Sequence, residues 1–388
     1  MHSTVAHRAI ARHRGMPRLW HFTAEYLLLL PAGAVIALIW ANNSPASYFR
    51  TTLRIEFFVN DVAMVLFFAL ITKEVVEATV AGGVLHPWRR AVLPLVAAVG
   101  VTTVPLLVFA AVVPLFDEPR VIQGWPAVFA VDLAVGYLVV RIIFRRGPVV
   151  PFFLLVGICA NALGVLALGA TAAITIHLTR FLFLMGTAIG AAVVLRAQHI
   201  RSFWPYLLIP GILSWSALYL GGFEPALALV PVLPFVPHGR RDPGFFVDAS
   251  PEAHDPLSRF ERWARHPAQV ALFLFGLVNA GVPLSSLYWG MWSLPIALFV
   301  AKPVGLLAGV RAATLMGFHL PHGLGWRELV VVGFVSAIGF TVALFFAAAV
   351  LPAGPTLSAI RMGALLSIAG AALAIGAAAS LRCGRFHE

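Results

Sequence analysis

Runs of about twenty apolar residues recur along this chain, and that recurrence restricts the fold more than any single motif. Twenty residues is roughly what an α-helix needs to cross about 30 Å of hydrocarbon. With 60% hydrophobic and 11% charged residues over 388 positions, the chain does not have the composition of a water-soluble domain. The spacing predicts an all-α polytopic membrane protein of about twelve transmembrane helices. The expected spans are Phe22–Ala41, Phe57–Val80, Ala91–Phe116, Trp125–Ile142, Val149–Leu168, Ala172–Leu195, Pro205–Leu220, Glu224–Val236, Pro267–Leu284, Trp289–Val310, Glu328–Leu351 and Thr356–Leu381.

The net charge of +11 raises the question of nucleic acid. The arginines cluster at the ends of the apolar runs, however, which is the pattern of membrane topology, so no nucleic acid is expected as a partner. Alternate loops carry Arg89 and Arg90, then Arg141, Arg145 and Arg146, then Arg196 and Arg201, then Arg240, Arg241, Arg259, Arg262 and Arg265, then Arg311 and Arg327. The opposite loops hold only Arg50, Arg54, Arg120, Arg180 and Arg361. Both termini are therefore expected in the cytoplasm, in a multi-pass protein of a bacterial inner membrane, with the bilayer as its surroundings. The expected organisation is a basic tail over residues 1–21, a membrane domain over 22–382 and a short tail over 383–388. A cytoplasmic loop, 237–266, divides the membrane domain and reads as a linker. The basic first residues run straight into a full-length span, so that span is expected to be retained. Cys159 and Cys383 cannot make a disulfide framework.

Charges inside the apolar runs are the candidate functional residues. Lys302 lies mid-run, and the chain has only one other lysine, Lys73. A lysine at the bilayer centre costs about 2.5–3.5 kcal/mol on insertion scales, so its placement implies a compensating role. Asp132 is equally far from an interface. The other acidic candidates have structural explanations. Asp61, after Asn60, can cap the start of span two. Lys73 can snorkel to the nearby interface with Glu77 as its i,i+4 partner. Glu224, just before Pro225, can serve as a first-turn carboxylate. Two spans read as broken helices. The fourth is short and contains Pro126 and Gly136, and the eleventh carries Gly333 and Gly339 with Ser336 and Thr341. Interrupted segments in corresponding places point to an inverted-repeat transporter, here spans three to five against ten to twelve. Close packing explains the same glycines equally well.

Several stretches taken together resemble the NhaA-type sodium/proton antiporters. Asn60-Asp61, Phe67-Phe68, Lys73-Glu74-Val75, Gly124-Trp125-Pro126 and Asp132-Leu133-Ala134 are similar to that family's second to fourth helices. His266-Pro267, Val278-Asn279-Ala280-Gly281-Val282, Lys302-Pro303-Val304-Gly305 and Ile338-Gly339-Phe340-Thr341 resemble its ninth to eleventh. The resemblance implies that the fourth and eleventh helices are unwound and cross near the bilayer centre. Asp132 would lie beside the crossing, Lys302 would face it, Glu74 would belong to the cytoplasmic funnel and Asp61 to the opposite one. Glu224 replaces a family histidine, and it and Glu77 are candidates for a pH response. Val131 replaces a threonine. The family's central aspartate pair, which binds the ion, is replaced here by Asn161 and Ala162.

Three functions follow as expectations. The first is a secondary ion transporter exchanging Na+ or Li+ for H+, without enzymatic activity or a cofactor. In it Asp132 and Lys302 exchange the proton, and Asp132, Asn161 and backbone carbonyls hold the cation, with one functional carboxylate favouring one-for-one exchange. The second is a transporter of another solute on the same fold, an anion drawn to Lys302 and to half-helix N-termini. The third is a membrane regulator without transport. The resemblance further implies a homodimer.

Overall fold

A computed structural model describes residues 18–79, 89–116, 118–145, 148–171, 178–237, 255–286, 289–321 and 323–386. Among the described residues all regular structure is helical. That agrees with the composition, because a backbone in hydrocarbon must satisfy its N–H and C=O groups within its own segment.

The chain opens with α1 (Arg18–Asn43). Next, α2 (Pro45–Phe57) runs through a π turn (Phe58–Ala63) into α3 (Met64–Thr79). After α4 (Arg89–Val112), a 3-10 helix (Pro119–Phe129) and α5 (Leu133–Phe144) form a first bent pair, inclined by 59°. Then come α6 (Val149–Thr171) and α7 (Leu178–Ala197). Next is α8 (Trp204–Tyr206), with a π turn (Leu207–Gly211) leading into α9 (Ile212–Gly221). The second half begins with α10 (Pro256–Asn279). It continues with α11 (Ser293–Ile296), a π turn (Ala297–Ala301) and α12 (Lys302–Leu315). A second bent pair, α13 (Trp326–Ser336) and α14 (Phe340–Val350), is inclined by 44°. Then α15 (Pro355–Leu366) and α16 (Gly370–Ser380) close the fold.

Six described stretches are long and apolar enough to cross a bilayer, and counting each bent pair as one span brings the number to eight. The remaining expected runs fall on α1, on α8 with α9, on α10, and on residues 224–236. That last run is not a continuous helix. It forms two short 3-10 turns, Pro225–Leu227 and Leu233–Phe235, because Pro225, Pro231 and Pro234 each remove a backbone donor.

Two other boundaries differ from the sequence reading. The segment expected as a linker becomes helical at Pro256, where the Asp255 carboxylate caps α10 by accepting from Ser258 N at 3.0 Å. The helix containing Asp61 starts at Pro45, so Asp61 lies in mid-helix, inside the π turn, and is not a cap. Of the expected tails, residues 1–17 lie outside the described set, the first helix begins at Arg18, and Gly384–Phe386 forms a 3-10 turn.

Small residues bring the helices together. In α4 and α12, a Cβ added at Gly100 would meet the Gly305 carbonyl, and one added at Gly309 would lie 2.7 Å from the Val96 carbonyl. Such close backbone approach is the usual route to association in lipid, where apolar side chains gain nothing by leaving the acyl chains. It seats the start of α12 deep in the protein. Pro303 would clash with the carbonyl four residues earlier in a regular helix, and the π turn over Ala297–Ala301 precedes it. Lys302 is thereby delivered to the interior with 0% exposure.

Candidate functional site

The two breaks meet. Residues 130–132 leave helical geometry between Pro119–Phe129 and α5, residues 337–339 do so between α13 and α14, and Asp132 N donates to the Ile338 carbonyl at 2.7 Å. Four half-helix ends converge there, two with free N–H groups and two with free carbonyls.

Asp132 serves both N-terminal ends. Its Oδ1 accepts from Ala134 N at 3.1 Å and Val135 N at 3.0 Å, capping α5. Its Oδ2 accepts from Thr341 N at 3.0 Å and from the Thr341 hydroxyl at 2.6 Å, at the start of α14. Lys302 serves both C-terminal ends, because its ammonium donates to the Ala130 carbonyl and to the Ser336 carbonyl, the latter at 3.0 Å. Asp132 is 2% exposed, yet no ion pair joins it to Lys302 among the described residues. Each charge is matched instead by fixed backbone dipoles, which allows two opposite charges to sit in an apolar interior without touching.

Asn161 on α6 holds Val131, the non-helical residue between Ala130 and Asp132. Its Oδ1 accepts from Val131 N and its Nδ2 donates to the Val131 carbonyl, both at 2.9 Å. Both amide atoms are therefore engaged with the backbone. Ala162, the next residue, is exposed and offers no ligand atom from its side chain. At the other break, Gly339 N donates to the Ser367 hydroxyl at 3.1 Å.

Gly339 lies at its break, whereas Gly136 and Gly333 sit within α5 and α13. A Cβ at Gly136 would strike the Phe153 ring, and one at Gly333 would strike Pro303. These two glycines permit close packing a turn away from the unwinding.

A second group of candidates surrounds two cavities of about 390 and 690 Å3, which share Asp61, Glu224 and Ala349. The smaller is also lined by Glu56 and Asn60. Behind it, Asn279 Nδ2 donates to Asn60 Oδ1 at 2.8 Å, and Arg361 Nη2 donates to Asn279 Oδ1 at 2.8 Å. The charge pattern predicts Arg361 in a loop, but it lies inside α15 with 8% exposure and 3.8 Å from Glu56 Oε1. Asn60 and Asn279 were visible as parts of motifs, whereas nothing in the sequence paired Glu56 with Arg361.

The third group lies where the end of α3 meets α10. Lys73 is 2.7 Å from Glu77 and 3.0 Å from Glu261, and Glu261 is bonded to Arg265 at 3.1 Å. The expected i,i+4 contact with Glu77 is present. Lys73 does not snorkel, however, since it is 1% exposed and turned toward Glu261, a residue placed in the loop by sequence. Glu74 lies on α3, and its side chain is outside the described set. No group of three or more His, Cys, Asp or Glu able to hold a metal ion occurs among the described residues.

Comparison with known proteins finds relatives over almost the whole chain. The Na+/H+ antiporter NhaA of Desulfitobacterium hafniense is 36% identical over 364 residues, covering 91% of this chain and 94% of that protein. The Na+/H+ antiporter NhaA of Geobacter metallireducens is 37% identical over 353 residues, covering 88% and 92%. That of Geobacter sulfurreducens is 36% identical over 370 residues, covering 92% and 97%. Residues 22–379 match the family described as Na+/H+ antiporter 1, and with relatives this similar over this length the chain belongs to that family.

Proposed function

We propose that this protein exchanges an alkali cation, Na+ or Li+, for protons across a bacterial inner membrane, one for one. The observation that carries this reading is the Lys302 ammonium, held by the Ala130 and Ser336 carbonyls at the C-terminal ends of two broken helices. Those oxygens are hard ligands of the kind an alkali cation needs. When Lys302 gives up one proton, its hold on them weakens, and a cation of the same charge takes its place. The Asp132 carboxylate, fixed by the two N-terminal ends, supplies the compensating negative charge. Net charge in the site is unchanged by the swap, hence one proton for one cation.

Asn161 has a different part in this scheme from the one first expected. Its amide is engaged with Val131, so it holds the unwound backbone in place and leaves the ligand role to the carbonyls. The broken helices are taken to cross at the bilayer centre as equivalent parts of two inverted repeats. The arginine-rich loops and both termini are placed in the cytoplasm, and the protein is read as a homodimer, as the family resemblance implies. Transport of an anion is disfavoured, because Asp132 already occupies the half-helix N-termini that would attract one.

A non-transporting membrane protein is the second reading. Its support is that every polar side chain named at the breaks is engaged by internal hydrogen bonds, as a static joint also requires. Proteoliposomes pulsed with Na+ or Li+ between about pH 6.5 and 9 separate the two, since this window spans the working range of a coupled amine or carboxylate. The expected result is cation-dependent proton movement in the wild type that is absent from empty vesicles and from Lys302→Met. A flat wild-type trace throughout the range rejects exchange, and normal flux in Lys302→Met removes the lysine from the mechanism.

A further inference from the structure

The spacing Gly157-x-x-x-Asn161-x-x-Gly164 on α6 recurs as Gly363-x-x-x-Ser367-x-x-Gly370 where α15 passes into α16. The middle residue of each copy meets one break. Asn161 reaches Val131, and Ser367 reaches Gly339, whose N–H donates to its hydroxyl at 3.1 Å. The last glycine of each copy lets its helix close on the same break. A Cβ on Gly164 would lie 3.0 Å from Phe129 Cβ, and one on Gly370 would lie 3.2 Å from the Phe334 carbonyl oxygen and 3.4 Å from Ile338 N. The second contact falls at a 3-10 turn, Ser367–Ala369, that separates α15 from α16. Gly339 in turn packs on the first break, since a Cβ there would lie 3.4 Å from the Ala130 carbonyl oxygen, one of the two that Lys302 holds.

The two holds are unequal. Asn161 takes both the N–H and the carbonyl of Val131, because an amide carries a donor and an acceptor. Ser367 has a single proton, and that proton goes to the Ala364 carbonyl at 2.6 Å. A lone pair is all it offers Gly339. Ser367 and Gly339 are both buried, so this N–H has no bulk water to turn to. Residues 130–132 are thus clamped twice by one side chain, whereas residues 337–339 are held by one neutral side-chain bond beside the contact from Asp132 N to the Ile338 carbonyl that the breaks share. We infer that Ser367 is a positioning residue for the second break and that the joint yields on that side. When a cation takes the place of the Lys302 ammonium, the Ala130 carbonyl stays and the Ser336 carbonyl adjusts, and the Ser367 hydroxyl sets the fraction of time in which Ser336 is in place. The inference rests on the exchange reading and deepens it, because it assigns cation affinity to a residue that is bonded neither to Lys302 nor to the carbonyls that lysine holds.

Two measurements on the full chain test this. Hydrogen exchange of the purified protein in detergent, read at single amides and corrected for intrinsic rate, compares Val131 N–H with Gly339 N–H. Gly339 exchanges faster in the wild type. Ser367→Ala raises its rate by a further factor of roughly two to ten, the worth of one neutral hydrogen bond, and leaves Val131 unchanged. In proteoliposomes the same variant raises the KM for Na+-driven proton release by a similar factor and keeps the maximal rate within about twofold, because apparent affinity falls with the populated fraction of the competent site. Ser367→Thr, which keeps the hydroxyl, restores the wild-type KM. Should its extra methyl prevent folding, Ser367→Cys, with a weaker acceptor, gives a KM between those of the wild type and the alanine variant. Equal protection of the two amides in the wild type, or an exchange rate at Gly339 that ignores Ser367→Ala, would overturn the unequal clamp. A KM unchanged in Ser367→Ala, or a fall in maximal rate alone, would overturn the positioning role while leaving exchange intact. A flat wild-type trace rejects exchange itself and with it the role in cation affinity, and the amide rates then decide the clamp without reference to transport.

Discussion

Replacing Thr341 by valine removes a single O–H donor from the joint between the two broken helices and leaves its backbone N–H in place. That hydroxyl donates to Asp132 Oδ2 at 2.6 Å, inside a site where Thr341 is 6% and Asp132 2% exposed. A hydrogen bond to a charged group contributes about 1.5–3 kcal/mol, so Thr341→Val should destabilise by that amount. Asp132→Asn is harsher. Asp132 accepts four hydrogen bonds, three of them from backbone N–H groups at helix starts, and an amide turns an NH2 toward at least one of these donors. A loss of about 2–4 kcal/mol follows if one or two buried donors are left without an acceptor. The informative quantity is the coupling. If the threonine acts through the carboxylate, its cost should fall below about 1 kcal/mol in the Asp132→Asn background, giving an interaction energy of at least about 0.5 kcal/mol. Equilibrium unfolding of the four proteins in mixed micelles measures it. Equal costs of Thr341→Val in both backgrounds would refute the reading that one carboxylate ties the start of α14 to the start of α5.

Two other substitutions probe neighbouring parts of the scaffold. Asn161→Ala leaves Val131 N and its carbonyl without their partners and should cost about 1–3 kcal/mol in the same unfolding assay, together with faster hydrogen exchange confined to residues 130–132; unchanged exchange there would remove Asn161 from its clamping role. Glu261→Ala withdraws a buried carboxylate from Lys73 and Arg265 and should cost about 3 kcal/mol, a difference that persists in roughly 0.5 M choline chloride because the group is 6% exposed; loss of the difference in salt would show a solvent-exposed pair instead.

What could be read from the sequence is what the bilayer enforces. Asp132 and Lys302 stand out because a charge in mid-span has few places to go, and at the breaks Asp132 bonds to N-terminal half-helix ends and Lys302 to C-terminal ones. The carbonyls of Ala130 and Ser336 left no mark, since a backbone oxygen has no side-chain signature. Arg361 was misplaced because an arginine five residues into a span looks interfacial, and its buried partners come from other helices. Residues 224–236 read as a span because hydropathy does not distinguish a helix from proline-rich 3-10 turns. The start of α10 was missed despite a usable signal. Leu257, Phe260, Glu261, Ala264 and Ala268 are all buried and recur at helical spacing, but polar residues between them gave the segment the look of a loop.

Asn161 and Ala162, where the family resemblance leads one to expect an aspartate pair, differ in what they do for the break. An ionised carboxylate at residue 161 would accept from Val131 N but would face the Val131 carbonyl with a second oxygen, where Asn161 now donates at 2.9 Å. A proton or a cation between those oxygens would relieve the clash, so a carboxylate there couples the shape of the broken helix to ion occupancy. Asparagine carries its own donor, so its two bonds to Val131 need no ion between the oxygens. Ala162 takes away a charge without altering this contact. With asparagine at residue 161 the shape of the break does not depend on an ion at that side chain, and in the proposed exchange the proton that moves is the one on Lys302. In that proposal a cation acts on the joint through the Ala130 and Ser336 carbonyls that the lysine holds, which makes Lys302→Met the variant that separates a working exchanger from a fixed scaffold.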